Sequence, residues 1–264
     1  MKTKNGTVLA ASFLALACAS SALADMATAV VEVKKSSKSK DGWRKECSIK
    51  VQYPTDAVSN VAKIINEYIN ERLGGSYAGD LFDGKAMVAH YIAECLASHQ
   101  NEEATPYYPD VHRQEISNVA ETDGYVTYAE STYYESEGMN HGREGYDGMT
   151  FRKSDGRRMG WEVFVNTDAA GFNNLVKKGL KQCWGLKTDA ELQNHLTGGL
   201  AHDGISPDDI PAPAQTPLFV KEGVQFTYGS YEIAAYSMGM PQFVVPYAEI
   251  APYLSRDARE MVEP

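Results

Sequence analysis

The chain has 264 residues and a formal net charge of -10, a length that allows one large domain or two small ones, each with its own core. With 43% hydrophobic and 23% charged residues, the composition is that of a folded protein and excludes a disordered chain. An acidic surface repels phosphate backbones, which excludes nucleic acid as the expected partner and favours a basic protein; acidity also serves solubility by itself.

Lys2 and Lys4 precede an uncharged apolar run over residues 8–17, and Ala22-Leu23-Ala24 sets small residues at a signal-peptidase site. This predicts a signal peptide over residues 1–24, cleaved after Ala24, with a core too short to span a membrane, and hence a periplasmic or secreted protein. The alternative is a lipoprotein anchored at Cys18, since Ala15-Leu16-Ala17-Cys18 is an imperfect lipobox. No later segment is long and apolar enough for a membrane span.

Residues 28–34 and 47–53 are strand candidates; Ile49, Val51 and Tyr53 alternate with polar Lys50 and Gln52. The Ser/Lys-rich stretch 34–42 between them reads as a turn. Thr55 or Asp56 is expected to cap a helix running to Leu73, with Val58, Val61, Ile65, Tyr68 and Ile69 on its apolar face and Gly74-Gly75 as its stop. A second helix over 85–98 carries Val88, Tyr91, Ile92, Cys95 and Leu96. From Val111 the period changes to two, giving strands over 114–120, 125–134 and 146–152, with turns at Asp123-Gly124 and Ser154-Asp155-Gly156.

A helix follows from about Asn166 to Trp184, striped by Phe172, Leu175, Val176, Leu180 and Cys183 and stopped by Gly185. Thr188 with Glu191 is a capping box. Beyond a Gly/Pro-rich loop over 197–216, Lys221-Glu222-Gly223 turns a hairpin, residues 242–246 form a strand, 247–254 a short helix, and the polar tail 256–264 frays. The sum is an α+β protein, mostly antiparallel, with packed helices and a two-part body divided at residue 131.

Of the cysteines, Cys47, Cys95 and Cys183 follow the signal peptide and contain no Cys-x-x-Cys pair. An oxidising compartment permits one disulfide among them and leaves all three pairings open. Cys95 and Cys183 fall on apolar helical faces, where a buried free thiol is the ordinary reading.

Motifs for catalysis are missing: there is no Gly-x-Ser-x-Gly elbow, no phosphate-binding loop and no His-Glu-x-x-His pair. His90, His99, His195 and His202 are isolated, so no metal or cofactor is expected. Two glycine-edged segments stand out. Gly138-Met139-Asn140-His141-Gly142 joins two strands amid Glu135, Glu137 and Glu144, a setting for a binding loop or simply for a turn needing positive φ angles. The segment 228–241 concentrates Tyr228, Tyr231, Tyr236, Met238 and Met240, residue types enriched at interface cores. The candidate partner-binding residues are therefore Gly138, Asn140, His141, Tyr146, Tyr231, Glu232 and Tyr236, with no catalytic residue assigned. The alternatives are a wall-modifying enzyme using His141 with Glu135, Glu137 or Glu144, or a structural envelope protein that self-associates.

Residues 133–164 join an aromatic-rich strand to the Gly138-Met139-Asn140-His141 turn, a second strand, the Ser154-Asp155-Gly156 turn and Trp161-Glu162-Val163-Phe164. Residues 218–254 add the Lys221-Glu222-Gly223 hairpin, Tyr231-Glu232-Ile233-Ala234 and Phe243-Val244-Val245-Pro246-Tyr247. Together they resemble the carboxyl-terminal extracellular domain of RsiV-type lysozyme-sensing anti-sigma factors, a domain also found in PdaC-type deacetylases. Residues 25–131 resemble the smaller domain that accompanies it, and 132–255 the RsiV-like domain itself. The 138–141 turn keeps only the first Gly and the His of the family pattern. The resemblance implies a non-catalytic, stand-alone binding module, with a basic protein such as lysozyme or cell-wall glycan as its partner.

Overall fold

The computed structural model describes residues 25–38, 44–97, 110–136, 139–196 and 204–263. The expected signal peptide, Cys18, His99, Glu137, Gly138 and His202 lie outside the described residues.

A six-stranded sheet runs in the order β1 (Thr28–Lys38), β2 (Arg44–Pro54), β3 (Asp110–Glu121), β4 (Tyr125–Glu135), β5 (Arg143–Arg152) and β6 (Arg158–Met159). Neighbours are antiparallel except β2 and β3, which run parallel. The chain makes that parallel return through α1 (Asn60–Leu73) and α2 (Gly84–Ala97). A parallel pair needs such a crossover. The α+β reading holds.

Alternation splits each strand between two cores. On one face, Cys47, Ile49, Val51 and Tyr53 of β2 meet Val126 and Tyr128 of β4, Phe151 of β5, and Ile65, Ile69, Val88 and Ile92 of α1 and α2. On the other, Tyr125 of β4 joins a core built with Phe172 and Leu180 of α3 (Ala170–Trp184) and Leu192 of α4 (Asp189–His195). A second, three-stranded sheet completes it, β7 (Leu218–Val220), β8 (Gly223–Thr227) and β9 (Gln242–Pro246), with Phe219 and Phe226 inside. The two layers are fastened by hydroxyls: Thr127 donates to the Phe219 carbonyl (2.6 Å) while Thr150 accepts from its amide (3.0 Å). β4 therefore has no solvent face along its first half, and it runs through residue 131.

Several local expectations need correction. Ser59, not Thr55 or Asp56, caps α1, accepting from the Ala62 amide, and Val58 lies before the helix, 94% exposed. The Ser/Lys-rich stretch continues β1 to Lys38, because an edge strand tolerates a charged, solvated side. The carboxyl tail does not fray: after α5 (Tyr247–Ile250), α6 (Arg256–Val262) is capped by Ser255 and buries Ala258 and Met261. Cys95 is not a free thiol but forms a disulfide with Cys47, and Cys183 is free but exposed, outside the buried stripe of α3. The Gly74-Gly75 and Gly185 stops and the Thr188–Glu191 capping box are present as read.

Candidate functional site

The face of the large sheet that receives the second sheet is covered only at one end. At the other end the outward side chains form two rows in register across β1 to β5. One row is Glu32, Lys50, Glu115, Ser131 and Tyr146; the next is Lys34, Ser48, Arg113, Tyr133 and Glu144. All of them except Lys34 floor an open groove of about 360 Å³, walled by Met240.

The floor is internally braced. Lys50 donates to Glu115 at 2.8 Å, and this bond raises the Lys50 pKa. Lys34 pairs with Glu46 at 2.8 Å, holding that carboxyl below its usual pKa range. The Arg113 guanidinium lies over the Tyr133 ring, 5.4 Å from its centroid. The Tyr133 hydroxyl donates to Glu135 at 2.6 Å, the main cause of its raised pKa.

Beside the groove the two glycine-edged segments meet. The His141 ring stacks on Tyr236 with centroids 3.6 Å apart and planes 18° from parallel. Its Nε2 is 3.3 Å from the Tyr231 hydroxyl and its Nδ1 2.9 Å from the Gly142 carbonyl, which also accepts from the Tyr236 hydroxyl at 2.7 Å. Tyr231 is 40% exposed and holds a left-handed φ of 64°. A non-glycine residue in that region stores backbone strain, a feature that clusters at functional sites. Rim and groove are continuous, because a Cβ at Gly142 would sit 2.5 Å from the Tyr133 ring that lines the floor.

Of the seven candidate residues, His141, Tyr231 and Tyr236 come together, Asn140 is exposed in the same turn, and Tyr146 lies on the adjacent floor. Glu232 does not join them: its carboxylate accepts from the Ala214 amide (2.7 Å) and the Gly229 amide (2.6 Å), and so ties down the tyrosine-bearing loop. The His141 nitrogens face a carbonyl and a phenol rather than Glu135 or Glu144, so among the described residues no histidine–carboxylate pair is formed there. Among the described residues no group of three or more His, Cys, Asp or Glu is placed to hold a metal ion, and no helix is long and apolar enough to cross a membrane. Lys50, Arg113, Glu115, Ser131 and Tyr133 were missed as site residues, because only cross-strand register reveals that they share a face. Their one sequence signal is polar alternation opposite an apolar face.

Residues 163–248 match a family described as a protein of unknown function (DUF3298). A crystal structure of a DUF3298 family member from Bacteroides fragilis NCTC 9343 is similar to this chain with a TM-score of 0.72 at 16% identity, covering 91% of this chain and 98% of that one. One of a DUF3298 family protein from Pseudomonas aeruginosa PAO1 is similar with a TM-score of 0.61 at 16% identity, covering 88% and 95%. At this identity the likeness is one of fold. No curated protein matches the chain.

Proposed function

We propose that this chain is a non-catalytic recognition module of the cell envelope, whose His141–Tyr231–Tyr236 rim contacts a basic protein of the lysozyme type. The observation that carries this reading is the convergence of two loops, ninety-odd residues apart in sequence, on one exposed aromatic cluster next to an open groove. Tyrosine rings combine large contact area with low conformational cost, and they dominate the energetic centres of protein interfaces. The net charge of -10 steers a cationic partner toward the surface. The resemblance to RsiV-type extracellular domains points to the same partner.

Export, by cleavage after Ala24 or lipidation at Cys18, belongs to this proposal. The Cys47–Cys95 disulfide supports it, since such bonds persist in oxidising compartments.

The test is co-precipitation of the protein lacking residues 1–24 with lysozyme at low and at moderate salt. A complex at low salt that weakens, but survives, at moderate salt is the expected result. Absence of a complex in both conditions overturns the proposal.

A further inference from the structure

We propose that the groove beside the rim is a saccharide site, taking a short stretch of a neutral glycan along the two side-chain rows of β1 to β5. This goes beyond capture of a protein by the rim, and it rests on separate residues.

The lining carries the argument. Glu32, Glu115 and Glu144 stand against Lys50 and Arg113, so the fixed charges nearly cancel. A strongly cationic partner would leave Lys50 and Arg113 facing like charge, and an anionic one would meet three carboxylates. A neutral ligand rich in hydroxyls suffers neither cost. It also gains charge-assisted hydrogen bonds, which are stronger than neutral ones.

Donors and acceptors alternate along the first row: the Glu32 carboxylate, the Lys50 ammonium, the Glu115 carboxylate, then the Ser131 and Tyr146 hydroxyls. Such alternation suits vicinal hydroxyls, each of which both gives and accepts. The Lys50–Glu115 bond and the Arg113–Tyr133 stack hold these groups in place before a ligand arrives, which lowers the ordering cost of binding.

Tyr133, Tyr146 and Met240 supply the apolar component. The C–H faces of a pyranose ring pack on aromatic faces while its hydroxyls point sideways to polar neighbours. A volume of about 360 Å³ lies in the range of small-ligand sites, roughly 300–1,000 Å³. Because the groove is open rather than closed, it accepts an internal stretch of a longer chain.

The experiment titrates the protein lacking residues 1–24 with tri-N-acetylchitotriose and with maltotriose by calorimetry. Saturable binding of at least one of these is expected. It should weaken about tenfold or more in Tyr146→Ala and in Ser131→Trp, which fills the groove from an exposed position, while Val58→Ser, at a 94% exposed position ahead of α1, binds like the parent. Melting curves of the variants verify that they are folded. Failure of both probes overturns the proposal, as does unchanged binding in a folded Ser131→Trp protein. Should Ser131→Trp abolish lysozyme capture with no saccharide bound by the parent, the groove is a protein contact. The saccharide site then falls and the rim reading stands.

Discussion

Gly142 has no side chain because the Tyr133 ring occupies the space a Cβ would need, with ring atoms 2.5 Å from that point. Its carbonyl meanwhile accepts from both His141 and Tyr236, so one residue joins floor to rim. Gly142→Val must push the Tyr133 ring aside; overpacking of this kind costs about 1–3 kcal/mol, to be read as a lowered denaturant midpoint with weakened partner binding. A variant as stable as the parent would show that the contact is soft. A second residue-scale prediction concerns Asp155. The hydrogen bond from Arg152 holds its pKa down at about 2. A depressed carboxylate stabilises the fold above its unfolded pKa and loses that contribution as pH falls toward the folded value. Asp155→Asn should therefore match the parent's stability near pH 2 and fall below it above about pH 4. At this scale the candidate site was partly legible: Gly and Pro bracketed His141, Tyr231 and Tyr236, but nothing local showed that Glu232 would be spent on backbone amides.

Among the elements, α2 is tied to β2 by the Cys47–Cys95 disulfide across 48 residues of sequence. On a chain-entropy account a loop of that length is worth roughly 4 kcal/mol. Cys95→Ser should lower the unfolding free energy by an amount of that order, measured in guanidinium, and reducing agent should shift the parent but not the variant. The pairing was not readable from sequence, because it depends on α2 packing over β1 and β2 at one edge of a sheet whose order mixes one parallel pair with antiparallel ones. The α1 cap is a smaller case. The apolar period suggested an earlier start, yet Ser59 supplies the accepting oxygen, and Ser59→Ala should cost about 1 kcal/mol. Patterns within one strand or helix were legible; the tail was not, because α6 becomes a helix only where Ala258 and Met261 find the core.

At the scale of the whole molecule, one sheet serves two cores, with β4 sending Val126 and Tyr128 to one and Tyr125 to the other. Phe151 and Phe219 are fully buried on opposite faces. Truncating either to Ala should cost about 3–5 kcal/mol and shift the same single thermal transition; two transitions moving separately would show that the halves unfold independently. The fold class was legible because strand and helix periods were clear, whereas the coverage of the sheet at only one end, which creates the groove, depends on register and layer placement that no linear pattern carries. The central claim is that the exposed rim at His141, Tyr231 and Tyr236 is where a partner binds. Its most direct test is amide hydrogen exchange of the protein with and without lysozyme. Slowed exchange confined to residues 139–148 and 229–241 is the predicted footprint; protection elsewhere on the surface, or none at all, would contradict it.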